Sequence, residues 1–151
     1  MNAVLHNPAL VYGVLSWALA QTLKVATAVV REHRINLRWL YSAGGMPSSH
    51  SALVSGITVA IALSEGVDSP LFALAVGVAA VVMYDAAGVR RAAGRQATVL
   101  NQIVDELFRG HPISEERLRE LLGHTPLQVA AGALLGLVVT SLGMALVWSG
   151  T

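Results

Sequence analysis

Four long apolar runs constrain this chain more than any other feature. They cover about residues 9–30, 50–66, 70–89 and 126–148, and none holds more than one charged residue. A helix needs roughly 17–25 apolar residues to cross a bilayer. The first and fourth runs meet that length easily, and the third does so if Tyr84 and Asp85 sit at the membrane edge. The second is short, which predicts a tilted or shielded helix, or one preceded by a re-entrant loop at Gly44-Gly45-Met46-Pro47. Charged residues make up only 13% of the chain, against roughly 25% in an average soluble domain. The sequence lacks the residues for a polar coat. The fold class it predicts is all-α: an integral membrane helical bundle of about four transmembrane helices, forming one membrane-embedded domain over residues 1–151.

The charges orient the bundle. Arg31, Arg34 and Arg38 follow the first run; Arg90, Arg91, Arg95, Arg109, Arg117 and Arg119 follow the third. Lys24 lies inside the first run near that same end, and the opposite side carries only Glu65 and Asp68. By the positive-inside rule, the connections 31–46 and 90–125 are cytoplasmic and both termini lie outside a cell membrane. No Lys or Arg precedes the first run, so it is expected to be a retained span and not a cleaved signal. The second connection predicts helices of its own. Ala97 to Phe108 sets Val99, Leu100, Ile103, Val104 and Leu107 on one face. Gly110-His111-Pro112 breaks it, Ser114 starts a further helix and Gly123 stops that one. A net charge of +1 gives no reason to expect nucleic acid, and the absence of cysteine excludes disulfides, thiolate metal sites and cysteine nucleophiles.

Five features are odd for a bundle that only spans. They are Lys24, the run Gly44 to His50, Asp85, the pair Arg90-Arg91, and Leu122-Gly123-His124-Thr125-Pro126. The topology brings all five to the cytoplasmic helix ends. Each also has a structural reading. Lys24 can snorkel to the interface, Pro47-Ser48-Ser49 can be a plain helix start, and Asp85 can pair with Arg90 or Arg91. The arginines can be topology anchors, and His124 can mark a helix entry. Together they suit a phosphate. A helix N-terminus at Ser48-Ser49-His50 presents backbone N–H groups and partial positive charge, while Lys24, Arg31, Arg90 and Arg91 add positive charge. His50 and His124 could divide nucleophile and general-acid work. No recognisable metal-ligand spacing occurs, and no cofactor is called for. His6, His33 and His111 have no such company.

These residues resemble the type-2 phosphatidic acid phosphatases, which share a phosphate site with vanadium haloperoxidases. The superfamily motifs are Lys, six residues, Arg-Pro; then Pro-Ser-Gly-His; then Ser-Arg, five residues, His, three residues, Asp. Here Lys24 precedes Arg31 by that spacing, with Glu32 in place of Pro. Pro47-Ser48-Ser49-His50 carries Ser49 in place of Gly. His124 falls on the motif histidine, Gln128 replaces the Asp, and Arg117-Leu118 lies where Ser-Arg is expected. With Tyr84-Asp85-Ala86-Ala87-Gly88-Val89-Arg90-Arg91, the chain is most similar, over nearly its full length, to the short divergent bacterial and plastid branch of that superfamily.

The resemblance implies a lipid phosphatase. His124 would attack phosphorus and form a phosphohistidine, and His50 would protonate the leaving oxygen. Lys24, Arg31, Ser48 and the backbone at Ser49 and His50 would hold the phosphate oxygens. Gln128 would orient His124, Asp85 would supply the missing carboxylate, and Arg90 or Arg91 the missing arginine. A cytoplasmic site points to an inner-leaflet phospholipid such as phosphatidylglycerophosphate or phosphatidic acid, ahead of an isoprenoid phosphate. The alternative is a non-catalytic protein that binds a lipid phosphate or serves as a scaffold, which the loss of the Asp at 128 favours. Gly132 and Gly136 form a small-xxx-small face, suited to a homo-oligomer or to packing within one chain.

Overall fold

The structure is a computed structural model that describes residues 2–32, 45–107 and 124–148. Five long helices follow one short turn, α1 (Asn2–Leu5): α2 (Pro8–Glu32), α3 (Ser49–Glu65), α4 (Pro70–Ala87), α5 (Val89–Leu107) and α6 (Pro126–Gly143). Met144–Trp148 continues α6 as a π-helical turn. The helix starts follow from local chemistry. Ser69 caps α4, its Oγ accepting Phe72 N–H at 3.2 Å with Pro70 at the first helical position, where a missing N–H costs nothing. Thr125 and Pro126 open α6 in the same way. Between α3 and α4, Gly66 takes φ 86°, which a side chain would disfavour.

Among the described residues, three helices are long and apolar enough to cross a membrane: Pro8–Val30, Pro70–Ala87 and the stretch Pro126–Val147. The sequence reading counts four spans. The difference is α3, whose 17 residues reach about 26 Å at 1.5 Å per residue. It is nevertheless the centre of the bundle, packed against α2, α4 and α6. Its buried positions are Ser49, Ser51, Ala52, Ser55, Gly56, Ala60 and Ile61. The expected helix at Ala97–Phe108 is also longer than read. α5 begins at Val89, one residue after α4 ends, because Arg90 to Gln96 are helix formers interrupted only by Gly94. The expected break at Gly110-His111-Pro112, the start at Ser114, the stop at Gly123 and the residues Arg34, Arg38, Arg109, Arg117 and Arg119 lie outside the described residues.

The interior is built from small and polar side chains. Seven of the eleven buried apolar residues among the described residues are alanine, and Ser16, Lys24, Ser48, Ser49, Ser51, Ser55, Asn101, His124 and Thr140 are buried beside them. Large apolar side chains face outward, Leu74 at 63%, Val81 at 69% and Leu134 at 62% exposure. That inversion suits hydrocarbon, where helices gain little from hiding leucine and associate through close backbone packing. The packing runs in layers. Tyr12, Ala60 and Met144 form the layer at one end. Next, a methyl group on Gly56 would lie 2.8 Å from Ser16 Oγ and 3.1 Å from Thr140 Oγ1. One turn on, Gly136 lies against the Ala52 carbonyl, and after it Gly132 lies against the Ser48 carbonyl. Both glycines of the small-xxx-small face are therefore taken up within the chain, against α3.

Candidate functional site

Four helix ends converge beyond the Gly132 layer. The C-terminal half of α2 brings Lys24, and the start of α3 brings Ser48. The end of α4 brings Asp85 and Ala86, and the approach to α6 brings His124. Three hydrogen bonds tie these ends together. Ser48 N–H donates to Gln128 O at 3.0 Å, joining α3 to the first turn of α6. His124 N–H donates to Ala86 O at 3.0 Å, fixing the residue before α6 to the last turn of α4. The Thr27 hydroxyl lies 3.2 Å from Met46 O and 2.9 Å from Lys24 O, joining α2 to the segment that leads into Ser48. That segment turns sharply, with Gly45 at φ 96° and a cis Met46–Pro47 peptide bond.

Burial separates these residues from ordinary helix caps. Lys24 is 2% exposed and His124 is 3% exposed, while Ser48, Ser49 and Ser51 are buried with them. A lysine enclosed this fully by protein is not an exposed side chain of the snorkelling kind. Ser48 is the N-cap of α3: its Oγ accepts Ser51 N–H at 3.3 Å and Ser51 O–H at 3.0 Å. The Ser48 hydroxyl thus has two partners within α3, and a hydroxyl, which accepts twice and donates once, has room for a third.

The hydrogen bonds around Gln128 determine the proton arrangement on His124. Thr125 and Gln128 form a capping box: Gln128 N–H donates to Thr125 Oγ1 at 3.3 Å, and Thr125 N–H donates to Gln128 Oε1 at 2.9 Å. A backbone N–H can only donate, so the atom it meets is the amide oxygen. The same Oε1 lies 3.3 Å from His124 Nδ1. An acceptor facing Nδ1 calls for a proton on Nδ1, and in the neutral ring the lone pair is then on Nε2.

Of the residues read as site candidates, the structure gathers Lys24, Ser48, Ser49, His124 and Gln128 at one end, with Asp85 half-buried on the adjoining turn of α4. His50 follows in the first turn of α3 with an exposed side chain. Arg31 lies in the last turn of α2, and Arg90 and Arg91 in the first turn of α5; their side chains lie outside what the structure describes. Two residues escaped the sequence reading. Ser51 bonds Ser48, and its signal was its place three residues on, where a side chain meets the cap. Asn101 is buried on α5, and its signal was an amide flanked by the apolar positions Leu100 and Ile103.

A family model, the Divergent PAP2 family, matches residues 5–139. The chain is also similar to an uncharacterized membrane protein, YuiD, of Bacillus subtilis (strain 168). The two are 37% identical over 148 residues, covering 91% of this chain and 94% of the relative. No solved structure matches it. The chain belongs to the divergent PAP2 family.

Proposed function

We propose that this divergent PAP2 family member is a membrane lipid phosphatase that removes a phosphate monoester through a phosphohistidine on His124. The observation that carries the reading is the buried His124. Its Nδ1 faces an oxygen whose identity the α6 capping box fixes, at the helix end that also holds buried Lys24 and Ser48. In the reaction, His124 Nε2 attacks phosphorus as the bond to the lipid oxygen breaks. His50 donates its proton to that oxygen, and the lipid alcohol leaves. Water then attacks the phosphohistidine, His50 takes its proton, and inorganic phosphate departs with Nε2 restored. Lys24, Arg31 and the Ser48 hydroxyl balance the phosphate charge, with backbone N–H groups of Ser49 and His50 at the helix start. Asp85 and one of Arg90 or Arg91 complete the surroundings.

In this reading α3 is a fourth crossing, short because its neighbours enclose it. The positive charge supports a site at the cytoplasmic face of a cell membrane with both termini outside. The substrate is then an inner-leaflet phospholipid of the phosphatidylglycerophosphate or phosphatidic acid type. One observation favours a second reading, a non-catalytic lipid-phosphate binder: residue 128 is Gln, which orients a histidine but carries no charge to stabilise an imidazolium. Phosphate release from both lipids by purified wild type, His124→Ala and His50→Ala separates the two. The phosphatase reading expects wild-type turnover, abolition in His124→Ala, and a loss of about 10²–10⁴-fold in His50→Ala. The same background in all three proteins would overturn it.

A further inference from the structure

α5 is packed the wrong way round for a helix in water. Its 19 residues place Val99, Leu100, Ile103, Val104 and Leu107 on one face, and these are 39 to 73% exposed. Among its described side chains, those it buries are Gly94, Ala97 and Asn101, which recur three and four apart along a different edge. A surface helix of a soluble protein turns its apolar stripe to the core and its polar side outward. Here the small and polar edge is turned in, and the apolar stripe faces out.

The chain connection indicates what covers that stripe. α4 is one of the three helices able to cross a membrane, and it ends at Ala87. Only Gly88 separates it from Val89, so α5 starts where a membrane crossing ends. Its charge is unevenly spread. Arg90, Arg91 and Arg95 fall in the first two turns, and no acidic residue occurs before Asp105. Low overall hydrophobicity, a strong apolar stripe and a basic segment together characterise helices that lie in the headgroup region of a bilayer. Basic residues next to a membrane span attract anionic lipid.

We infer that α5 lies along the bilayer surface beside the bundle. Its Val99, Leu100, Ile103, Val104 and Leu107 stripe is set into the boundary between acyl chains and headgroups, and the net positive charge of its first two turns draws that end of the helix to an anionic lipid surface. This inference does not depend on the phosphatase reading, because its test involves no turnover.

The chain has no cysteine, so a single introduced thiol reports one position. Leu100→Cys, Val104→Cys and Gln102→Cys in the full chain each receive a nitroxide. Each is reconstituted in phosphatidylcholine vesicles, and again in vesicles of three parts phosphatidylcholine to one part phosphatidylglycerol. Spin relaxation by oxygen, which partitions into lipid, is compared with relaxation by a water-soluble nickel chelate. The expected result is oxygen accessibility above nickel accessibility at Leu100→Cys and Val104→Cys, the reverse at Gln102→Cys, and a larger contrast with phosphatidylglycerol present. Either apolar-face position carries the test if the other variant fails to fold. Nickel access at 100 and 104 equal to that at 102 would overturn the inference. So would shielding of 100 and 104 from both reagents, which would mean that a second copy or residues 108–123 cover the stripe. Equal contrast in the two vesicle types would overturn the anionic-lipid part.

Discussion

Replacing Gly132 with alanine adds one methyl group where the α6 backbone lies directly against the backbone at the start of α3. That methyl would fall inside contact distance of the Ser48 carbonyl oxygen and 3.0 Å from both Ser48 C and Ser51 Cβ. The obstacle is backbone, so no side-chain rotation relieves it. The α3 and α6 backbones must part by about 1 Å to restore ordinary van der Waals separation. Overpacking of this kind costs about 1–3 kcal/mol, or roughly 3–10 °C in melting temperature for a chain of this length. Gly77 is the matched control. Nothing lies within 4 Å of the methyl that Gly77→Ala would add, and alanine gains about 0.5–1 kcal/mol over glycine in a helix interior. The two variants make the same chemical change and should move stability in opposite directions. The separation also pulls Ser48 N–H away from Gln128 O, and so displaces the start of α3 from His124. A misplacement of about 1 Å at a reacting centre can cost on the order of 10²-fold in rate. Thermal unfolding of both variants in detergent, followed by size-exclusion fluorescence, and phosphate release at a permissive temperature measure the two effects. A Gly132→Ala protein that melts at or above wild type would refute the packing argument. One that melts lower but turns over at the full rate would refute the link from packing to site.

Three further outcomes follow from the same geometry. Gln128→Leu removes the oxygen that holds the His124 tautomer and should lower phosphate release by about 10²–10⁴-fold, whereas Gln128→Glu keeps an acceptor there and should retain turnover; equal rates in the two would refute the tautomer argument. Thr140→Val removes a buried hydroxyl that has no partner among the described residues and keeps its shape, so unfolding in detergent should show a gain of about 1 kcal/mol, and a loss of that size would mean the hydroxyl is bonded. Ser69→Ala deletes the α4 cap and should cost about 1 kcal/mol in the same unfolding measurement. It should leave phosphate release unchanged, because that cap lies at the opposite end of the bundle.

The helix positions were legible because apolar length and Ser-Pro or Thr-Pro starts are local properties. Residues 9–30, 70–89 and 126–148 map onto α2, α4 and α6 with its π-helical turn, with ends shifted by at most two residues among those described. The central place of α3 was not legible, because an apolar run does not say which neighbours enclose it. Its Ser51, Ser55 and Gly56 were the available hint, since small residues permit the close approach seen at Gly132 and Gly136. The early start of α5 was missed because Arg90-Arg91 reads as a topology signal before it reads as a helix former. At the site, Lys24, Ser48, His124 and Gln128 were found by motif spacing, which fixes residue types along the chain. Their burial is a tertiary property, and so is the bond from His124 N–H to Ala86 O. Gln128 looked in sequence like a carboxylate that had been lost; its service to Thr125 as a helix cap was present in the Thr-x-x-Gln spacing and went unread.

That double service links the chemistry of one ring to the order in which the protein comes apart. The oxygen that sets the His124 proton also closes the first turn of α6, and terminal turns fray before a helix melts. Warming or a denaturing detergent should therefore scramble the histidine while the bundle still stands. Such a protein would lose its competence in a transition of its own, below the one in which its helices unfold, and would recover it on cooling without refolding the spans.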